Sequence, residues 1–406
     1  MFLIKKDTAI LCQYFYPEHV SSATLPTQLA QGLNQKGLSI EVFTGYPTEY
    51  LDDENRDLPT EIDGIPIHRV KYTTFNNKSK MGRLLNFFSF FVSMSRKILA
   101  LKNFNKVIVY SNPPVLPLIP YIAKKVFGTE FIFVAFDIYP DNALKMNGIK
   151  PNGLIHKLMN FINKRIYSNA EEIVLLGNEM YDYVIQNNIA GKTSNLKVIP
   201  NWFTGDEEII KGQIDNAEFR ALKEQYKLIV LYSGNMGAFQ DIDTILKGIR
   251  RFKNSNDILF VFSGHGKKTD EVKEFLETEG ITNSRVYGFL KGQDYSDILA
   301  ISNVCLVSLE KGIEGLGVPS KTYGYLAAGK SVISIMSHNT DIAQDLESWK
   351  CGHNILQGDV LGFEKVLSDY LSGARDTQSE SRNARSLYKM KYQKDISLEK
   401  YFSILK

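Results

Sequence analysis

Short, continuous apolar runs recur along the chain, each followed by a helical pattern, and the series restarts near residue 228. Six runs precede the restart, at residues 8–12, 39–44, 106–110, 130–135, 172–176 and 197–199. Five follow it, at 228–233, 258–263, 285–287, 304–309 and 331–335. Most lack the alternation of half-exposed strands, and strands covered on both faces read this way. Strand alternating with helix points to right-handed βαβ units and parallel sheets, hence to an α/β fold. With 406 residues the chain exceeds one ordinary core. Two domains of roughly 200 residues each are expected. The predicted division is residues 1–200 plus a returning C-terminal helix at 386–406, against residues 201–385. The boundary falls at 200–212, where Pro200 fixes an extended connection.

Composition narrows the class. A net charge of +3 with 23% charged residues gives no sign of the clustered basic face that nucleic-acid binding needs. Cys12, Cys305 and Cys351 lie far apart, which predicts reduced thiols without disulfide or metal-ligand spacing. The N-terminus lacks a signal-peptide pattern, so a cytoplasmic protein is expected. No run reaches the roughly 18 apolar residues of a membrane span. Residues 83–101, RLLNFFSFFVSMSRKILAL, read as a helix with a narrow polar stripe of Asn86, Ser89 and Ser93, continued by Arg96 and Lys97. Its wide apolar face either packs on a sheet or lies on a membrane surface as a peripheral contact.

Open parallel sheets bind ligands beyond the carboxyl ends of their strands, which directs attention to the loops there. In YFYPEHVSSATL, Ser21 and Ser22 are small and open a helix, where N–H groups can meet an anion; His19 reads as a loop residue. In FDIYPD, Asp137 is either a turn residue or an acid that orients or deprotonates an acceptor hydroxyl. In SGNMGAFQD, Gly234, Asn235, Met236 and Gly237 form a loop whose N–H groups can wrap a phosphate. In SGHGK, Gly264 and Gly266 permit close approach by a ligand, and His265 reads as a turn residue. In EKGIEGLGVPSKTYGYLAAG, Pro319 suits the first turn of a helix that Gly329 ends. Lys321 in that first turn opposes the helix dipole unless an anion sits beside it. Glu314, just before, could bind sugar hydroxyls.

These segments stand in a fixed order: YFYPE, QKGLSIEVFTGYP, SNPP, FDIYPD, VIPNW, YSGNMG, SGHG and GVPSKTYGYLAAGKSVI. Together they cover nearly the whole chain and resemble glycosyltransferase family 4 (group 1, GT-B fold). More narrowly they are similar to its bacterial branch in capsule, O-antigen and exopolysaccharide biosynthesis. The resemblance implies two Rossmann-like parallel-sheet domains facing across a cleft. It implies retaining transfer of a hexosyl or N-acetylhexosaminyl group from a nucleoside-diphosphate sugar, UDP-linked by family habit. The acceptor would be a glycan, lipid-linked or protein-linked, held by the N-terminal domain. No metal and no other cofactor is implied. Carried onto this chain, Lys321, Ser320 and residues 234–237 would meet the donor phosphates, with Ser21 and Ser22 where the family has paired glycines. Gly264 and Phe289 would hold the base, Glu314 and Gly317 the donor sugar, and Asp137 the acceptor.

The chain also departs from the family pattern. Asn235 and Gln240 occupy the loop where an Arg and a Lys are usual. The second of two glutamates eight apart would fall at Thr322 or Gly324. Lys321 would then supply the missing cation. These departures keep open a non-catalytic GT-B partner protein, which predicts no nucleotide binding and an exposed apolar patch. A nucleotide-sugar epimerase would want more histidines in these loops, and a nicotinamide dehydrogenase a Gly-x-Gly-x-x-Gly turn.

Overall fold

The computed structural model describes residues 5–47, 58–75, 79–146, 148–191, 195–205 and 214–406. The predicted boundary at 200–212 therefore lies partly outside the described residues. The chain forms two compact units: unit 1 is Met1–Pro200, Gly315–Val318 and Asp395–Lys406, and unit 2 is Asn201–Glu314 and Pro319–Lys394.

Unit 1 is built on eight strands: β1 (Lys6–Leu11), β2 (Ile40–Gly45), β3 (Glu61–Ile62), β4 (Ile65–Val70), β5 (Phe104–Tyr110), β6 (Glu130–Ala135), β7 (Glu172–Leu175) and β8 (Leu196–Val198). Their order is β3-β4-β2-β1-β5-β6-β7-β8, and only the β3–β4 pair is antiparallel. Unit 2 has six parallel strands: β9 (Leu228–Asn235), β10 (Ile258–His265), β11 (Ser284–Tyr287), β12 (Val304–Ser308), β13 (Ser331–Ile335) and β14 (Gly352–Ile355), in the order β11-β10-β9-β12-β13-β14. In each unit the strands build outward from the first and then restart on its other side, except that in unit 1 the edge strand β3 precedes β4. The reversal points are β1/β5 and β9/β12.

All eleven predicted strands are present. The sequence reading missed the β3–β4 hairpin and β14. β4 (IPIHRV) contains Pro66 and carries His68 and Arg69, so its apolar signal is broken; β14 (GHNI) is too short and polar to stand out. Strands β1, β5, β6, β9 and β10 are apolar and buried over most of their length, as sheets covered on both faces require. All three cysteines are buried and free.

Right-handed crossovers decide which helix lies on which face of the unit 1 sheet. The helix Ser21–Gln35, between β1 and β2, lies on one face. The C-terminal helix Lys394–Leu405 packs on it: Leu398 fills the space that a side chain at Gly32 would need, and Lys36 pairs with Glu399. The Ser397 hydroxyl donates to the Pro200 carbonyl at 2.8 Å. The helices Lys80–Ser95, Leu118–Phe127 and Leu154–Tyr167 lead rightward across the sheet and cover the other face.

Two expectations need correction. Residues 386–394 pack in unit 2, so the return to unit 1 starts at Asp395. The cause is aromatic: Tyr388 and Tyr392 are buried there, with Tyr392 against Tyr323 at 5.0 Å and its hydroxyl on Asp345. The helix at 80–95 turns its polar stripe inward, against the alternative in which its wide apolar face packs on the sheet. Asn86 is buried and its side chain brackets Phe75, accepting from N at 2.9 Å and donating to O at 2.8 Å. Ser89 accepts from Thr73 N at 3.0 Å. Its buried residues are Gly82, Asn86, Phe90 and Met94, while Leu84, Leu85, Phe88 and Val92 face outward. Among the described residues no helix is long and apolar enough to cross a membrane.

Candidate active site

In unit 2 the residues with the clearest chemistry gather past the carboxyl ends of β9 and β12. β9 ends in Gly234 and Asn235, and the helix Lys321–Ala327 follows the loop after β12. Lys321 returns over β9. Its Nζ donates to the Asn235 carbonyl at 3.4 Å and lies 3.7 Å from the centroid of the Tyr232 ring. The Tyr232 hydroxyl donates to the same carbonyl at 3.1 Å. Gly234 has φ +128° and leaves room for the lysine stem: a Cβ there would stand 3.2 Å from Lys321 Cε. Among the described residues no carboxylate pairs with Lys321. Burial, uncompensated by any acid, lowers its pKa to about 7.

The glycines here also have a packing role. Gly264 (φ +129°) faces Gly234, and a Cβ would stand 2.0 Å from the Gly234 carbonyl; at Gly266 (φ +142°) it would stand 2.3 Å from the Met236 carbonyl. The close approach they permit within the protein is that of β9 to β10. The loop at 234–237 is likewise partly closed on itself. Met236 N donates to His265 O at 2.7 Å and its side chain is core; Gly237 N donates to Gln240 Oε1 at 2.8 Å. Asn235 and Ser320 are exposed, and Ser320 makes no side-chain cap bond.

Glu314 is also engaged. One oxygen accepts from Gln357 Nε2 at 2.8 Å and the other from Gly312 N at 2.7 Å. Phe289 is exposed and meets His265 edge-on at 5.7 Å, an open ring beside the β10 loop. Thr322 is buried with its hydroxyl on the Pro319 carbonyl at 2.9 Å. A side chain at Gly324 would press on the Tyr295 hydroxyl at 3.0 Å and Phe203 at 3.1 Å. Sequence reading missed Tyr232 beneath the lysine. It also missed the neighbouring pair of Lys268, which donates to Glu310 at 2.6 Å and to the Gln240 carbonyl at 2.7 Å. Each joins residues far apart in the sequence, Tyr232 on β9 with Lys321 and Lys268 with Glu310, and no local pattern announces them.

In unit 1 Asp137 follows β6. Phe136 N and Asp137 N point at the Ser111 hydroxyl beyond β5, at 3.0 and 3.3 Å. Asn142 Nδ2 donates to Asp137 Oδ1 at 2.7 Å. Burial raises the carboxyl to about 6, and the Asn142 bond opposes that rise. Gly317 belongs to this unit: a Cβ on it would sit 3.5 Å from Asp137 Oδ1, and Ile138 N donates to Leu316 O at 3.1 Å. Gly317 thus stands with Asp137, whereas Glu314 is bonded within unit 2. Ser21 and Ser22 open the helix Ser21–Gln35, whose cap is the backbone of Val20. Among the described residues no three His, Cys, Asp or Glu side chains converge.

Residues 213–341 match the family model of glycosyl transferases group 1. WbjE of Pseudomonas aeruginosa, described as a probable glycosyltransferase, is 27% identical over 292 residues, 72% of each chain. WcaI of Escherichia coli K12, named for colanic acid biosynthesis, is 22% identical over 350 residues, 82% of this chain and 84% of its own. The solved structure of Anabaena HepE in complex with UDP superposes with a TM-score of 0.69 at 11% identity, over 98% of this chain and 99% of that one.

Proposed function

We propose that the chain, which has the GT-B fold, is a glycosyl transferase of group 1 and moves a sugar from a nucleoside-diphosphate sugar to a glycan, lipid-linked or protein-linked acceptor in surface polysaccharide synthesis. UDP is the favoured nucleotide, as HepE binds it. The transferred group is a hexosyl or N-acetylhexosaminyl unit, and transfer proceeds with retention and without a metal.

One observation carries this reading. Lys321 holds its amino group over an aromatic face at the reversal point of unit 2, with no carboxylate among the described residues to neutralise its charged form. As the bond to the departing diphosphate breaks, negative charge grows on the phosphate oxygens, and a fixed cation is worth most there. Ser320, Asn235 and Gly234 stand around it as donor-phosphate contacts, Phe289 offers a ring for the base, and Asp137 takes the acceptor proton or orients its hydroxyl.

The test is thermal melting with UDP, GDP, TDP, CMP and NAD, with and without EDTA. An EDTA-insensitive rise with one nucleoside diphosphate, lost in Lys321→Ala, supports the reading. A second reading, a non-catalytic partner of an active transferase, draws support from the outward apolar residues of the helix at 80–95 and from the self-bonded N–H groups of Met236 and Gly237. No melting shift with any nucleotide at millimolar concentration would favour it.

A further inference from the structure

Two buried tyrosines set where Lys321 stands. β9 pairs with β12 at Val230–Val304 and Leu231–Cys305. Two residues further on, at Ser233, the main-chain bonds on that side go to a side chain. Ser233 N donates to the Tyr325 hydroxyl at 2.9 Å, and that hydroxyl donates to Ser233 O at 2.9 Å. Buried main-chain groups are costly to leave unbonded, so this clasp fixes the helix Lys321–Ala327 against β9. Tyr325 comes four residues after Lys321, one helical turn on, which puts both on the same side of the helix. The lysine stem then runs past Gly234, the residue after Ser233.

The second tyrosine acts on the amine. Tyr232 is fully buried on β9, with Phe262 of β10 beside it, ring centroids 6.3 Å apart. Its ring lies under Lys321 Nζ, 3.7 Å from the centroid, and a ring face attracts the charged form that burial disfavours. Its hydroxyl donates to Asn235 O at 3.1 Å, and Lys321 reaches the same oxygen at the longer distance of 3.4 Å. A carbonyl has two lone pairs, and here the tyrosine holds the shorter bond. The lysine can therefore leave that oxygen for an anion, and the carbonyl stays bonded.

We propose that Tyr325 and Tyr232 are positioning residues for Lys321. Tyr325 sets the helix on β9, and Tyr232 holds the ammonium on its ring face and keeps the Asn235 carbonyl bonded when the lysine turns to an anion. Both act through the lysine and not on the ligand. That the anion is a departing diphosphate rests on the transferase reading; that the tyrosines place the amine does not.

Two measurements on the full-length protein test this. The first needs no nucleotide. With isotope-labelled lysine, the Lys321 ε-methylene signals are identified in NMR spectra by their loss in Lys321→Ala. They should lie upfield of the other lysines, because they stand over a ring. Tyr232→Phe should keep that shift and Tyr232→Leu abolish it. An ordinary lysine position in the unaltered protein, or an upfield shift that survives Tyr232→Leu, overturns the proposal. The second is a double-mutant cycle on affinity for UDP, or for whichever of GDP and TDP binds instead. Tyr232→Leu should weaken it about fivefold, and Tyr232→Phe, which keeps the ring, about twofold. Tyr325→Phe, which unbonds Ser233, should weaken it about fivefold. In the Lys321→Ala background each should cost almost nothing further. Equal losses in both backgrounds overturn the proposal, since the tyrosines would then support the fold and not the lysine. Unchanged lysine signals elsewhere in the spectrum show that a variant is folded. Tyr325→Phe, which removes a single oxygen, carries the cycle if Tyr232→Leu does not fold. An upfield lysine in a protein that binds no nucleoside diphosphate strikes the transferase reading alone.

Discussion

The two units carry opposite charges tuned by the same physics. In unit 2 a lysine loses hydration against Tyr232 and its pKa falls to about 7. In unit 1 a carboxyl loses hydration beside Gly317 and its pKa rises to about 6. Burial penalises whichever form is charged, so both groups are brought to the edge of neutrality near physiological pH. They differ in what completes them. Asp137 already has a donor, Asn142, on one oxygen. Among the described residues Lys321 meets a carbonyl and a ring, neither of which cancels its charge. The first arrangement suits a group that exchanges a proton, the second one that waits for an anion.

Lys321→Ala is the strongest way to break this comparison. Losing one preorganised electrostatic contact to a transition state costs about 100- to 1000-fold in kcat. KM for the donor should move much less, and a loss under about fivefold in single-turnover kinetics would remove Lys321 from the reaction. Asp137→Asn tests the other half. An acid–base or orienting group contributes about 100-fold at the lower end of its usual range. The acid limb of the pH–rate profile, near 6 in the unaltered protein, should vanish in this variant. Stability gives a readout that needs no acceptor. A carboxyl whose folded pKa is raised adds stability at low pH that is lost as pH rises through about 6. Asp137→Asn should therefore gain on the unaltered protein as pH rises from about 4, with the full gain in melting temperature reached above about 6.

The pH dependence of nucleotide affinity sharpens the comparison further. A diphosphate prefers the ammonium to the amine and raises the lysine pKa on binding. Affinity should thus be full below pH 7 and fall by up to about tenfold per unit as pH rises beyond it. Lys321→Arg, whose guanidinium stays charged, should flatten the profile in calorimetric titrations. A profile that is already flat in the unaltered protein would mean that the anion does not meet Lys321.

The strands were legible because continuous apolar runs survive in the sequence wherever a sheet is covered on both faces. β4 and β14 were not, since Pro66, His68 and Asn354 interrupt that signal. Lys321 was legible from its awkward place in a first helical turn. Gly264 and Gly266 were visible as glycines but not in their packing role, because only the structure shows that β9 occupies the space a side chain would fill. Nor can one helix reveal which stripe turns inward. At 80–95 two hydrogen-bonding stretches of chain, Thr73 and Phe75, outcompeted the apolar face for the inner position.

Glu314 marks the finest distinction between the units. Family resemblance assigns it to the donor sugar, yet its two oxygens are taken by Gln357 and Gly312, and the segment that begins one residue later packs in unit 1. A carboxylate so placed fixes the loop by which the chain leaves unit 2. Glu314→Gln keeps one acceptor oxygen and sets an amide against either the Gln357 amide or the Gly312 N–H. If the role is to hold the loop, the variant should lose about 1 kcal/mol of stability, and affinities for the bare nucleotide and the nucleotide sugar should shift together. If the carboxylate binds sugar hydroxyls as well, affinity for the nucleotide sugar should fall while that for the bare nucleotide holds. Parallel calorimetric titrations with the two ligands separate the roles.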